Sequence, residues 1–191
     1  MPVAISNDVN LMAHAEHHFG VGRNYDDALV VNLGWGIGLG LLLNGSVYLG
    51  ADGFSGEFGH IQVDPHGVQC HCGKNGCLET VASGEAIARI ATARLKAGEN
   101  SLLLNGGSDA LNHISAGKIV EAAKQGDEFS IKLLQDSGEA IGKTLAGPVV
   151  VSDSRNQYLK LKAWGIESAP LHAGTYDISE DQIRDYLRVI F

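Results

Sequence analysis

The chain has 191 residues, 14 Lys and Arg against 22 Asp and Glu, and a formal net charge of −8. That length suits one domain with at most a small appendage, and a hydrophobic content of 45% suffices for a packed core. The acidic balance and the absence of a Lys/Arg cluster argue against this chain gripping a nucleic-acid backbone, aromatic residues at 6% are too sparse for a base-stacking platform, and no apolar run is long enough to span a membrane.

Along the chain, Val3-Ala-Ile5 reads as the end of a strand, and Ser6-Asn7-Asp8 supplies helix-capping chemistry. Val9 to Phe19 is expected to be a helix ending at Gly20. Ala28 to Leu33 reads as a buried strand, followed by the glycine run Gly34-Trp35-Gly36-Ile37-Gly38-Leu39-Gly40. Asn44-Gly45 between the apolar runs Leu41–Leu43 and Ser46–Leu49 is a hairpin signal. Residues 50–60 read as a glycine-rich loop and Ile61 to Val63 as a short strand. Ser83 caps a helix reaching about Arg94, with Ala86, Ile87, Ile90 and Ala91 at helical spacing. Further helices are expected at Ser115–Gln125 and Asp127–Ala146, the latter ended by Pro148. Val149–Val151 is expected to be a strand and Ser179–Ile190 a short helix. A boundary is placed near residue 147, dividing 1–147 from a C-terminal segment, 148–191.

All three cysteines, Cys70, Cys72 and Cys77, fall within eight residues. With one histidine they form a Cys₃His set, the donor composition of a closed tetrahedral zinc site. Gly67, Gly73 and Gly76 supply the turns such a knot needs. Cys70 and Cys72 are too close for an easy disulfide, and an odd number of thiols cannot all pair within one chain. No secretory leader is read at the N-terminus, so a reducing cytoplasm is the expected compartment. The fourth ligand is His60, His66 or His71. His60 leaves a loop of nine residues before Cys70.

Glu57 and Glu79 flank the knot, and carboxylates that converge on one place suit a polyol such as a sugar. Asp8 lies between a strand and a helix, where it is either a helix cap or a base and hydrogen-bond acceptor toward a hydroxyl. Gly34, Gly36 and Gly38 could expose backbone N–H groups to a phosphate, but the spacing is not that of a P-loop, and a glycine-rich turn leading into a hairpin is the preferred reading. His14, His17 and His18 share a helix, with His14 and His18 four apart as in metal pairs. No third ligand or Glu motif accompanies them, and they read as surface or partly buried histidines.

With these residues in place, the chain resembles the ROK family of sugar kinases and sugar-responsive repressors. The resemblance rests on Asn7-Asp8-Val9-Asn10, on Asn32 to Gly40, on Gly56-Glu57-Phe58-Gly59-His60 and on Cys70 to Glu79, and covers about residues 3–147. It implies an α/β fold of the actin-like ATPase (ribonuclease H-like) type with a zinc-binding loop. It further implies structural zinc held by His60, Cys70, Cys72 and Cys77, and sugar or amino-sugar contacts from Asn7, Asp8, Glu57, His60 and Glu79. In the kinases the residue matching Asp8 is the catalytic base, and ATP with magnesium is the cosubstrate. Those kinases usually carry Thr at the position of Trp35, and a first phosphate-binding segment in an N-terminal lobe that is not read here. The chain is therefore expected to be a partial one from the regulator branch, with a truncated or degenerate kinase as the alternative. In a full-length regulator a separate helix-turn-helix would contact DNA. The resemblance also suggests a homodimer.

Overall fold

The computed structural model describes residues 5–105, 107, 109–151, 157–163, 166–167 and 171–173. Helix α1 (Asp8–His18) starts where Asn7 Oδ1 accepts from the backbone N–H groups of Val9 and Asn10, at 2.9 and 3.3 Å. These are two of the donors that a helix start leaves without intrahelical partners. The cap is thus Asn7, and Asp8 is the first helical residue. A 3₁₀ turn (Val21–Asn24) leads to strand β1 (Asp27–Leu33), which pairs antiparallel with β2 (Ile37–Leu43). Strand β3 (Ser46–Val47) then returns along β2. Asn44 and Gly45 both have positive φ, 51° and 71°, the conformation a two-residue hairpin with right-handed twist demands.

Ile61–Val63 does not form the expected strand. Its one ladder contact is an isolated bridge between Gln62 and Cys77, because the backbone there turns to close the cysteine loop: Val63 and Asp64 N–H both donate to the Gly76 carbonyl. Helices α2 (Glu79–Ala82), α3 (Gly84–Lys96), α4 (Ala116–Lys124) and α5 (Glu128–Val151) follow. Ser83 caps α3 as expected, accepting from Ala86 N–H, and Ser115 caps α4, accepting from Lys118 N–H. α2 was not expected from the sequence, since four residues carry no readable periodicity.

Two expectations at the C-terminal end are corrected. Residues 149–151 are helical, because α5 runs through Pro148. Proline's fixed φ is compatible with a helix and costs it one backbone hydrogen bond, which a helix of 24 residues tolerates. Beyond it, strand β4 (Gln157–Ala163) pairs parallel with β1 over its whole length, and β5 (Ile166–Glu167) and β6 (Leu171–Ala173) pair antiparallel with β4. No strand was expected in this stretch, although Leu159-Lys160-Leu161-Lys162-Ala163 alternates with the period of a strand; it extends the sheet to the order β3-β2-β1-β4-β5, with β6 also on β4. The expected helix at 179–190 lies outside the described residues, as does all of the expected strand at 3–5 except Ile5, which is in no strand.

The pleat sorts the sheet's side chains into two layers. Leu29, Val31, Leu33, Ile37 and Leu39 face Ile141 and Leu145 of α5 and Ala82 of α2. On the opposite face Gly38 and Gly40 lie against α1. A methyl group built on Gly38 would approach Val9 Cγ2 to 2.6 Å, and one on Gly40 would approach Ala13 Cβ to 2.7 Å. The two glycines form the groove in which α1 sits. A second core joins α3, α4 and α5 through Ile87, Ala91, Ile119, Val120 and Leu134. Asp127 caps α5: it accepts from Ser130 N–H at 3.0 Å and Ser130 Oγ at 2.6 Å, and it also ties down Ser101 Oγ and Leu102 N–H.

Candidate functional site

Strand β2 organises the site. Its face carries the start of α1 through Val9. Its outer edge carries the loop that follows β3: Tyr48 N–H donates to the Leu41 carbonyl, and Leu39 N–H donates to the Gly56 carbonyl. That loop ends in a 3₁₀ turn, Phe58–His60. Phe58 is 2% exposed and packs into the core between the sheet and α5. Burying its ring contributes roughly 1.5–3 kcal/mol and fixes the backbone from which Glu57 and His60 project. Leu78, fully buried in the same core, does this for Glu79 at the start of α2.

The result is a compact cluster. His60 Nδ1 lies 3.5 Å from Glu79 Oε1, and His60 Nε2 lies 3.6 Å from Glu57 Oε2. The imidazole thus stands between the two carboxylates. His60 also belongs to the cysteine knot. Its Nδ1 is 3.4 Å from Cys70 Sγ, Cys72 Sγ is 3.5 Å from Cys77 Sγ, and the four donor atoms of His60, Cys70, Cys72 and Cys77 all lie within 4.8 Å of one another. Zn–S bonds near 2.3 Å and Zn–N bonds near 2.0–2.1 Å give tetrahedral edges of about 3.4–3.8 Å, so the two short separations already have the size of such a shell. His66 and His71, the other two histidines considered, are not in this group.

The three thiols differ in their surroundings. Burial pushes the Cys70 thiol up to about 12 and also raises Cys77, while Cys72 is lowered, chiefly by a hydrogen bond from the Lys74 backbone. A bound divalent ion reverses the cost of burial by binding the thiolate forms. Sequence reasoning missed the polar ties that hold the loop shut. Lys74 Nζ donates to the His60 carbonyl at 2.7 Å, and Gln62 Nε2 donates to the Asn75 carbonyl at 2.8 Å. Long side chains reaching backbone across 13 or 14 residues leave no spacing signal.

Asp8 is exposed at the first turn of α1, and its Oδ1 accepts from Val9 N–H at 2.9 Å. Asn7 is engaged as the cap. The glycine turn stands at the foot of α3, where Gly84 N–H donates to the Gly34 carbonyl. Of its members, Gly38 is accounted for by α1, and Gly36 makes room for Glu79, whose Oε2 lies 3.1 Å from where a methyl would be. Gly34 and Trp35 border a cavity of about 650 Å³ between the turn, α3 and the residues before α4. Trp35 is 79% exposed and also walls a smaller cavity of about 240 Å³ that reaches Cys70 and Glu79.

The ROK family model matches residues 1–156. The chain belongs to the ROK family. The DNA-binding transcriptional dual regulator NagC of Escherichia coli is 37% identical over 142 residues, which is 74% of this chain and 34% of NagC. Among solved structures, a ROK family transcriptional regulator homologous to the E. coli MLC protein matches at 38% identity and a TM-score of 0.74, covering 83% of this chain and 39% of its own. A ROK family glucokinase from Streptomyces griseus, solved with glucose and AMPPNP, matches at 34% identity and a TM-score of 0.75, covering 84% of this chain and 52% of its own. The ROK chain therefore has the actin-like ATPase fold of these neighbours and spans between a third and a half of their length. Regulators and kinases match it equally well. No described helix is long and apolar enough to cross a membrane.

Proposed function

We propose that this chain is the zinc-stabilised sugar-binding region of a ROK-type transcriptional regulator. The observation that carries the reading is the Glu57–His60–Glu79 cluster, in which one imidazole is shared between two carboxylates and the Cys₃His knot. His60, Cys70, Cys72 and Cys77 would hold zinc, which supplies structural cross-linking of the loop rather than chemistry. Glu57 and Glu79 then present fixed acceptors to the hydroxyls of a sugar or amino sugar, with Asn7 and Asp8 contributing from α1. Carboxylates held by buried neighbours bind a polyol without ordering long side chains on binding, and this saves affinity. The regulator branch is favoured by Trp35, a bulky indole where the kinases usually carry a small hydroxyl beside the nucleotide phosphates. In the intact regulator, sugar occupancy would bias the orientation of DNA-binding domains by two-state coupling. The protein would work in the cytoplasm and as a homodimer.

One observation keeps a sugar kinase as the second reading. Asp8 is exposed at the start of α1, and as a base it would deprotonate a sugar hydroxyl for attack on a γ-phosphate held near Gly34 and Gly36. Calorimetry with glucose, N-acetylglucosamine and N-acetylmannosamine tests sugar binding. Saturable binding to the wild type that is lost in Glu79→Gln supports the site, and no binding by zinc-replete protein refutes it. A coupled ADP-release assay separates the branches: turnover abolished by Asp8→Asn would establish the kinase.

A further inference from the structure

We propose that α1 carries a second metal site, an open two-imidazole site on His14 and His18 for a borderline divalent cation such as Ni²⁺, Cu²⁺ or Zn²⁺. The two rings are four residues apart on one helix, which places them on the same face one turn apart. Their centroids are 4.3 Å apart with planes inclined at 59°. That is close enough for a nitrogen of each to reach one ion, and the tilt keeps the rings from stacking flat. Both side chains are exposed, so an ion can enter and water can fill the remaining positions. Imidazole suits nickel, copper and zinc, and the expected order of affinity has copper strongest.

The neighbours define the site as a pair. His17 stands edge-on to His18 at 5.1 Å, but its Nε2 lies toward Gly45 of the hairpin, and its buried Nδ1 has no hydrogen-bond partner among the described residues. Phe19, 85% exposed, lies beside His18 with ring centroids 6.0 Å apart. The pair is also separate from the cysteine knot. Glu79 lies against Gly36, just before β2, whereas His17 lies against Gly45, just after it. The seven residues of β2 lie between them, a span of roughly 20 Å. An ion on the pair would clamp the last two turns of α1, since binding to the folded form alone stabilises it.

The test is calorimetry of the whole zinc-loaded chain with NiCl₂, with zinc content measured before and after. One Ni²⁺ per chain bound without zinc loss is expected. His14→Gln and His18→Gln should each weaken it by about a hundredfold, because the second imidazole acts as a tethered ligand. His113→Gln, an exposed histidine paired with Asp109 at 2.9 Å, should leave it unchanged. Circular dichroism checks that the variants fold. No Ni²⁺ binding by the wild type overturns the proposal, as does equal binding by the His14→Gln/His18→Gln double variant.

Discussion

The seat of α1 on β2 can be tested with one methyl group. Gly40→Ala places a Cβ 2.7 Å from Ala13 Cβ and 2.9 Å from the Val9 carbonyl oxygen. Neither atom can swing away, since one is a helix backbone oxygen and the other is attached directly to the helix. Carbon pairs rest at about 3.5–4.0 Å, so α1 must lift by roughly 1 Å. Overpacking of this kind costs about 1–3 kcal/mol, and replacing a strand glycine returns about 0.5–1 kcal/mol of chain entropy. A net loss of about 1–2 kcal/mol lowers Tm by about 2–8 °C for a domain of this size. Gly34→Ala is the control, because its methyl would meet only the Asn32 amide at 3.7–3.8 Å; it should be neutral. Thermal denaturation followed by circular dichroism reads both. Because Asn7 and Asp8 ride on α1, Gly40→Ala should also weaken sugar binding. An unchanged or raised Tm for Gly40→Ala would refute the packing role.

Elemental analysis of purified protein should find one tightly held zinc per chain, and Cys77→Ser should lose it and loosen residues 60–79, seen as faster proteolysis within that loop. At Asp127, burial works to raise the carboxyl, but the hydroxyls of Ser130 and Ser101 and the N–H groups of Leu102 and Ser130 together hold it below its ordinary value. A depressed carboxylate stabilises the fold fully above its unfolded value, about 3.9, and loses that contribution as pH falls through the lower folded value. Asp127→Asn removes the charge from hydrogen bonds to Ser101, Leu102 and Ser130 and should cost about 1.5–3 kcal/mol near pH 7, and its deficit relative to wild type should shrink steadily in acid below about pH 4. A deficit independent of pH in urea titrations would contradict this.

What the sequence determined about this protein is local. The cysteine spacing, the Asn44-Gly45 hairpin and the Ser83 cap of α3 each depend on a few adjacent residues, and each has one favourable conformation. Asn7 and Asp8 are legible as capping chemistry for the same reason, though which of them caps was decided by backbone geometry. The family motifs extended that reading to the metal knot and its flanking glutamates.

Only the tertiary structure decided who meets whom. Gly38 was a candidate for a phosphate cradle in sequence, yet α1 fills the space beside it and beside Gly40. Phe58 and Leu78 look like ordinary apolar residues, and it is their shared core, far apart in the chain, that aims Glu57, His60 and Glu79 at one another. Strand β4 does carry a local signal, the alternation Leu159-Lys160-Leu161-Lys162-Ala163, but its parallel pairing with β1, more than a hundred residues earlier, is not encoded in that window. The pairing of sheet edges and the filling of grooves are long-range packing events, and no window of neighbouring residues encodes them.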